Sequence, residues 1–184
     1  MPLKTPICDF GQAAKGFELK STDNKIIKLN DIKGKNGTLI MFICNHCPYV
    51  IAVIKSIVED CKNLEKLGIK AVAICSNDSI NYPEDSFDKM IKFHSDHNFN
   101  FPYLLDETQV VAKNYGAVCT PDFFGYNKNL ELQYRGRIRE LKNLKPVISG
   151  ESDLFKAMKK ISETEKGPEE QIPSAGCSIK WLDN

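Results

Sequence analysis

Apolar residues recur along this chain with two periods, and the switch between them marks out the elements. Residues 38–43, Thr-Leu-Ile-Met-Phe-Ile, form an unbroken apolar run of strand length, which reads as a buried β-strand. Beyond Pro48 the spacing becomes helical, with Val50, Ile51, Val53, Ile54, Ile57, Val58 and Cys61 continuing to Leu67 and Gly68, where glycine stops the helix. The link between the two is Cys44-Asn45-His46-Cys47-Pro48, a strand-to-helix turn that carries two thiols and an imidazole.

The same reading extends to both ends. Residues 17–20 and 25–29, joined by the turn residues Ser21-Thr22-Asp23-Asn24, predict an N-terminal β-hairpin. Residues 69–76 predict a second apolar strand with Cys75 near its end. A helix over 86–97 would carry Phe87, Met90, Ile91 and His94 on one face. A short strand at 101–105 and a short helix at 107–115, ended by Gly116, come next. Residues 123–126 and 130–135 then read as an antiparallel hairpin, and a last helix covers 152–162. Residues 163–175, rich in Glu, Pro and Lys, read as a mobile linker, ending in an apolar, thiol-bearing segment, Gly176-Cys177-Ser178-Ile179-Lys180-Trp181, that suits docking. The expected organisation is one domain over 1–162 and a linker with docking tail over 163–184. A βαβ unit followed by ββα predicts a three-layer α/β fold around a central sheet.

Composition narrows the function. With 184 residues the chain can bury a continuous core without metal or disulfide staples. A net charge of +1, from 25 Lys+Arg against 24 Asp+Glu, leaves no electrostatic footprint for nucleic acid or an anionic membrane. The first residues lack an apolar signal core and no stretch approaches a membrane span, so a cytoplasmic protein is expected. Seven scattered cysteines in such a chain are packing residues, reactive thiols or metal ligands rather than permanent bridges.

Free N–H groups and the dipole at a helix N-terminus favour a thiolate. With Pro48 at the first helical position, Cys47 falls at the N-cap, and neighbouring His46 could add charge or shuttle a proton. Cys47 is therefore the candidate nucleophile. The competing reading is an inert capping residue. Cys61 and Cys75 lie on apolar faces and read as core, and Cys8 as a free thiol near a mobile end. His94 and His97 flank a helix end with no spacing that ties them to the thiols.

The run 41–50, Met-Phe-Ile-Cys-Asn-His-Cys-Pro-Tyr-Val, resembles the peroxiredoxin-like branch of the thioredoxin superfamily, alkyl hydroperoxide reductase/thiol-specific antioxidant-like. So do Tyr82-Pro83-Glu84-Asp85-Ser86, Tyr115-Gly116-Ala117-Val118-Cys119-Thr120-Pro121, Tyr134-Arg135-Gly136-Arg137 and 176–181. The resemblance implies a thioredoxin-like α/β/α fold with an N-terminal β-hairpin. It also implies a cis bond between Thr120 and Pro121, in a loop that faces the active thiol and presents a backbone edge to the substrate. Arg139-Glu140-Leu141 departs from the acidic residues usual in the family at that point.

Within that frame the ordinary Cys-x-x-Cys is absent, because Val50 stands where the second cysteine would be. The peroxidatic Pro-x-x-x-Thr/Ser-x-x-Cys is absent too: Ile40 and Cys44 fall at those offsets from Cys47, and Gly37 and Met41 from Cys44. The sequence thus favours a thiol–disulfide oxidoreductase acting on protein or small-molecule disulfides, with an exposed Cys47 thiolate and a reducing thiol donor. Cys44, Cys119 or Cys177 would resolve the mixed disulfide, Cys177 by swinging on its linker to Cys47 of the same chain or of a partner in a homodimer. A thiol peroxidase with antioxidant activity is the second reading. The third is a copper- or zinc-binding or redox-sensing module using Cys44, His46 and Cys47, with Cys119 a possible further ligand. No cofactor is expected.

Overall fold

The computed structural model describes residues 1–183; Asn184, the end of the expected tail, lies outside the described residues. The strands are β1 (Leu3–Lys4), β2 (Glu18–Ser21), β3 (Ile26–Lys28), β4 (Gly37–Phe42), β5 (Ile69–Cys75), β6 (Tyr103–Leu105), β7 (Cys119–Thr120), β8 (Asp122–Tyr126), β9 (Leu132–Tyr134), β10 (Leu141–Lys142), β11 (Lys145–Pro146) and β12 (Ala175–Ser178). The helices are α1 (Pro48–Glu65), α2 (Phe87–Asp96), α3 (Val110–Tyr115) and α4 (Asp153–Thr164). Seven strands form the central sheet in the order β3-β2-β6-β5-β4-β8-β9. Its two parallel pairings, β4 with β5 and β5 with β6, are joined through helices, as parallel neighbours require.

Alternation along β4 builds the three layers. Leu39, Met41 and Ile43 point to one face, where they meet α1, α2 and α4 through Val53, Ile57, Met90 and Met158. Ile40 and Phe42 point to the other, against Val111, Ala112 and Tyr115 of α3 and Phe124 of β8. Burial on both faces explains why 38–43 reads as continuous rather than alternating. This is the thioredoxin-like α/β/α fold. Among the described residues no helix is long and apolar enough to cross a membrane.

Element ends differ from the sequence reading where side chains intervene. The 107–115 helix begins only at Val110, because the Asp106 carboxylate accepts the N–H groups of Val111 (3.3 Å) and Ala112 (2.9 Å), and Gln109 takes a left-handed turn. Ser86 and Ser152 cap α2 and α4, accepting from Lys89 N at 3.3 Å and Phe155 N at 2.9 Å.

The stretch expected as a mobile linker is tied down instead. Gln171 donates to the Gln133 carbonyl (2.9 Å) and accepts from Arg135 N (2.8 Å), and Arg137 N donates to the Ile172 carbonyl (2.7 Å). The strap thereby takes the Gln133 carbonyl on the outer edge of β9, while Gly11 and Gln12 pair with Leu132, so the edge is not left with unpaired backbone groups. Glu- and Pro-rich composition does not reveal such backbone pairing. The strap then delivers β12 between β1 and β7 in a separate three-stranded sheet.

Candidate active site

The turn between β4 and α1 is pinned at its middle. Asn45 N donates to Asp85 Oδ1 (2.8 Å), Asn45 Nδ2 donates to the Glu84 carbonyl (3.0 Å), and Asn45 Oδ1 accepts from the Tyr103 hydroxyl (2.8 Å). Asn77 Nδ2 donates to Asp85 Oδ2 at 2.9 Å. A fully buried carboxylate thus receives a hydrogen bond on each oxygen, as burial demands. The sequence reading gave Asp85, Tyr103 and Asn77 no role. The signal for Asp85 was its place beside Pro83 in a segment already matched to the family.

Cys47 caps α1, but its sulfur makes no regular capping bond, and the Val50 N–H bonds the Cys47 carbonyl at 3.0 Å. What favours its thiolate is chiefly the Cys44 thiol, then the Cys177 thiol, the Val50 N–H and the Thr120 hydroxyl, together outweighing burial; the Cys47 pKa is lowered well below that of a free thiol. A protonated Cys47 donates instead to the Thr120 carbonyl, 3.3 Å away. Cys44 is the counterpart. Its hydrogen bond to Cys47, its burial and the charge of Asp85 all hold its proton on, and its sulfur is 3.5 Å from Thr120 Oγ1.

The Thr120–Pro121 peptide bond is cis. The loop that carries it is braced by Arg135, which donates to both Asp122 oxygens (3.3 and 2.9 Å) and to the Gly116 carbonyl (2.9 Å) and stacks on Phe124. Cys119 sits in this loop with its thiol toward the Pro121 carbonyl at 3.8 Å, and burial pushes its pKa up.

The outer edge of the loop is occupied. β12 pairs antiparallel with β7, Cys177 opposite Thr120 and Ser178 opposite Cys119, and Ser174 Oγ donates to the Pro121 carbonyl at 2.7 Å. The exposed thiolate and free edge expected from sequence are therefore both corrected: Cys47 has 0% of its surface exposed and the edge is taken by the chain's own tail. Nor need Cys177 swing, for β12 already holds its thiol beside Cys47. Burial, the Cys47 hydrogen bond and the Cys47 charge raise Cys177 to about 11, against Lys180.

His46 turns away from the role expected of it. Its Nδ1 lies 2.7 Å from Asp85 Oδ2, out of line for a straight hydrogen bond, and its ring lies parallel to Tyr82, centroids 6.0 Å apart. Sulfur, imidazole and carboxylate donors of Cys44, His46 and Asp85 lie within 4.8 Å of one another, a set that could hold a metal ion. It includes Asp85 in place of the Cys47 and Cys119 expected from sequence. Cys61 and Cys75 are buried in the core, and burial raises both, Cys75 to about 12. Cys8 is half-buried and raised to about 11, chiefly by burial. His94 is hydrogen-bonded to Thr22 (2.7 Å) and His97 packs on Phe93.

A thioredoxin-like sheet with a cysteine turn at the head of α1, facing a proline loop, defines a peroxiredoxin-like protein of the thioredoxin superfamily. More narrowly, the chain belongs to the AhpC/TSA family, which it matches over residues 10–141. Membership supports thiol-based redox activity, disulfide exchange or peroxide reduction, at the level of the family. The chain is similar to an uncharacterized conserved protein from Geobacillus kaustophilus, with 39% identity, 100% of this chain and 98% of that one covered, and a TM-score of 0.94. It is similar to a hypothetical protein from Sinorhizobium meliloti 1021, with 30% identity, 100% of each chain covered and a TM-score of 0.91. The peroxidoxin BcpB from Mycobacterium tuberculosis shares the fold at 16% identity, over 67% of this chain and 81% of that one, with a TM-score of 0.56. No curated protein matches.

Proposed function

We propose that this protein is a cytoplasmic thiol–disulfide oxidoreductase with Cys47 as nucleophile and Cys177 as the resolving thiol. The observation that carries the reading is the position of the Cys47 sulfur between two donor thiols, Cys44 within the core and Cys177 toward the surface. In exchange, Cys47 attacks a substrate sulfur and releases a thiol; a second thiol then attacks the mixed disulfide. Once Cys47 is in a disulfide its negative charge is gone, and with it two of the three causes that raise Cys177. Cys44 still faces the Asp85 charge. Cys177 is thus the easier thiol to ionise at the resolving step, and Cys44 serves as the hydrogen-bond donor that maintains the Cys47 thiolate. Seven scattered cysteines, which do not make an even disulfide framework, suit a reducing compartment.

Peroxide reduction is a second reading with one observation in its favour: the Thr120 hydroxyl reaches the Cys44–Cys47 pair from the opposite loop. It supplies a hydroxyl that the local sequence before Cys47 lacks. Stopped-flow oxidation by hydrogen peroxide beside steady-state reduction of bis(2-hydroxyethyl) disulfide by dithiothreitol separates the readings. Disulfide turnover lost in Cys47→Ser, with peroxide consumed no faster than by a free thiolate of similar pKa, supports exchange. Cys47-dependent peroxide consumption orders of magnitude faster makes it a peroxidase.

A further inference from the structure

A cavity of about 280 Å³ opens beside the cis-proline loop, walled on one side by Arg137, Ile138, Arg139 and Leu141 and on the other by residues 172–175. Tyr49, Val53, Pro121, Ile138 and Leu141 make its sides apolar, and Lys4, Arg137 and Arg139 bring three positive charges to it with no acidic residue in its lining. Asp153 pairs with Arg137 at 2.7 Å, and Asp60 acts electrostatically on Arg139; setting both carboxylates against these cations still leaves one positive charge. Arg139 is incompletely satisfied. Its Nη1 and Nη2 donate to the carbonyls of Val147 (2.9 Å) and Gly150 (3.4 Å), but its Nε is buried with no partner among the described residues. That N–H is out of reach from the cavity, so Arg139 acts on a bound anion through the charge of its guanidinium.

We propose that this cavity anchors the carboxylate of a low-molecular-weight disulfide, so that the substrate class is a small acid carrying its sulfur on a short aliphatic stem. Guanidinium groups match carboxylate geometry. The apolar sides suit the stem, and the volume corresponds to roughly nine waters, the scale of a small acid rather than a folded partner. Its position suits the chemistry. Pro121 follows Thr120, whose carbonyl lies 3.3 Å from the Cys47 sulfur, and the Tyr49 backbone N–H favours the Cys177 thiolate. Ala175, at the head of β12, forms part of the wall, so displacement of β12 from Cys47 joins the cavity to the thiol.

The subsite rests on the exchange reading for its catalytic use. Cys47 sulfur bonds to one substrate sulfur, the substrate S–S bond breaks, and the acid thiolate leaves and is protonated. Cys177 then displaces the second acid thiol, and an external dithiol reduces the Cys47–Cys177 disulfide, two electrons passing from dithiol to substrate.

The test compares 3,3′-dithiodipropionate with neutral bis(2-hydroxyethyl) disulfide, each reduced by dithiothreitol and corrected for the uncatalysed rate. The expected result is a preference of about tenfold in kcat/KM for the dicarboxylate, expressed in KM, weakened by salt. It falls to near unity in Arg139→Gln and partly returns in Arg139→Lys. A wild-type protein without preference, or a preference that survives Arg139→Gln, overturns the proposal. If neither disulfide is turned over, the exchange reading fails by itself, and binding of suberate, the sulfur-free analogue, decides. Methyl shifts at Val53, Ile138 and Leu141 that vanish in Arg139→Gln uphold the anion subsite, and unshifted methyls overturn it.

Discussion

Cys177 stands directly across from Thr120 in the β7–β12 ladder, which places its thiol against the Cys47 sulfur from a segment remote in the chain. The candidate nucleophile is covered by its own resolving candidate. Mild oxidation with diamide followed by peptide mapping should therefore yield a Cys47–Cys177 crosslink as the first product, and Cys177→Ser should accumulate the mixed disulfide with substrate. A first crosslink between Cys44 and Cys47 would assign resolution to Cys44 instead.

Thiolate chemistry at Cys47 should persist at acid pH. Because its donors lower its pKa, alkylation by iodoacetamide should lose little rate as pH falls from 8 to 6, declining only as pH falls through the depressed pKa. Cys61, raised by burial, should stay unlabelled throughout. Mass spectrometry of each peptide reads both. Equal labelling of the two would remove the basis for Cys47 as nucleophile.

Access should depend on how closely β12 lies on β7. A Cβ at Gly176 would collide with the Thr120 carbonyl oxygen, and backbone cannot yield as a side chain tip can. Gly176→Val should lift β12 and raise the Cys47 alkylation rate at pH 7 by about tenfold or more, in line with reactivity that follows exposure. An unchanged rate would mean that β12 does not limit entry.

The brace of the proline loop is a buried ion pair, Arg135 with Asp122. Burial raises the Asp122 pKa and the Arg135 hydrogen bonds and charge pull it back. Asp122→Ala leaves the guanidinium buried without its partner. Urea denaturation should show a loss of about 3–5 kcal/mol, compared with less than about 1 kcal/mol for the exposed pair Lys92–Asp96.

Asp60 should make stability fall as pH rises. Burial raises its carboxyl from 3.8 to about 6 against the pull of Ser152 and Arg139. A carboxyl raised in the folded state supports folding fully below its unfolded pKa and loses that contribution as pH rises through the folded one. Asp60→Asn should be more stable than wild type by on the order of 2 kcal/mol at pH 8 and equal to it at about pH 3, below the unfolded pKa, as read by thermal or urea unfolding.

Local pattern determined much of this protein. The 38–43 run, the helical spacing after Pro48 and the serine caps at 86 and 152 act within a few residues, so β4, α1, α2 and α4 are legible from the chain alone. So is the Cys44–Pro48 turn between the first two, and the family segments around it point to a thioredoxin-like fold. What only the tertiary structure decided are the relationships between remote segments. Asp85 pins Asn45 and lies against the His46 imidazole, β12 lies over Cys47, Gln171 takes the Gln133 carbonyl of β9, and Arg139 joins Lys4 and Arg137 at the cavity. A buried carboxylate or guanidinium takes its chemistry from the partners that folding brings to it. Backbone pairing between strands leaves little mark on side-chain identity. Neither can be read from spacing along the chain.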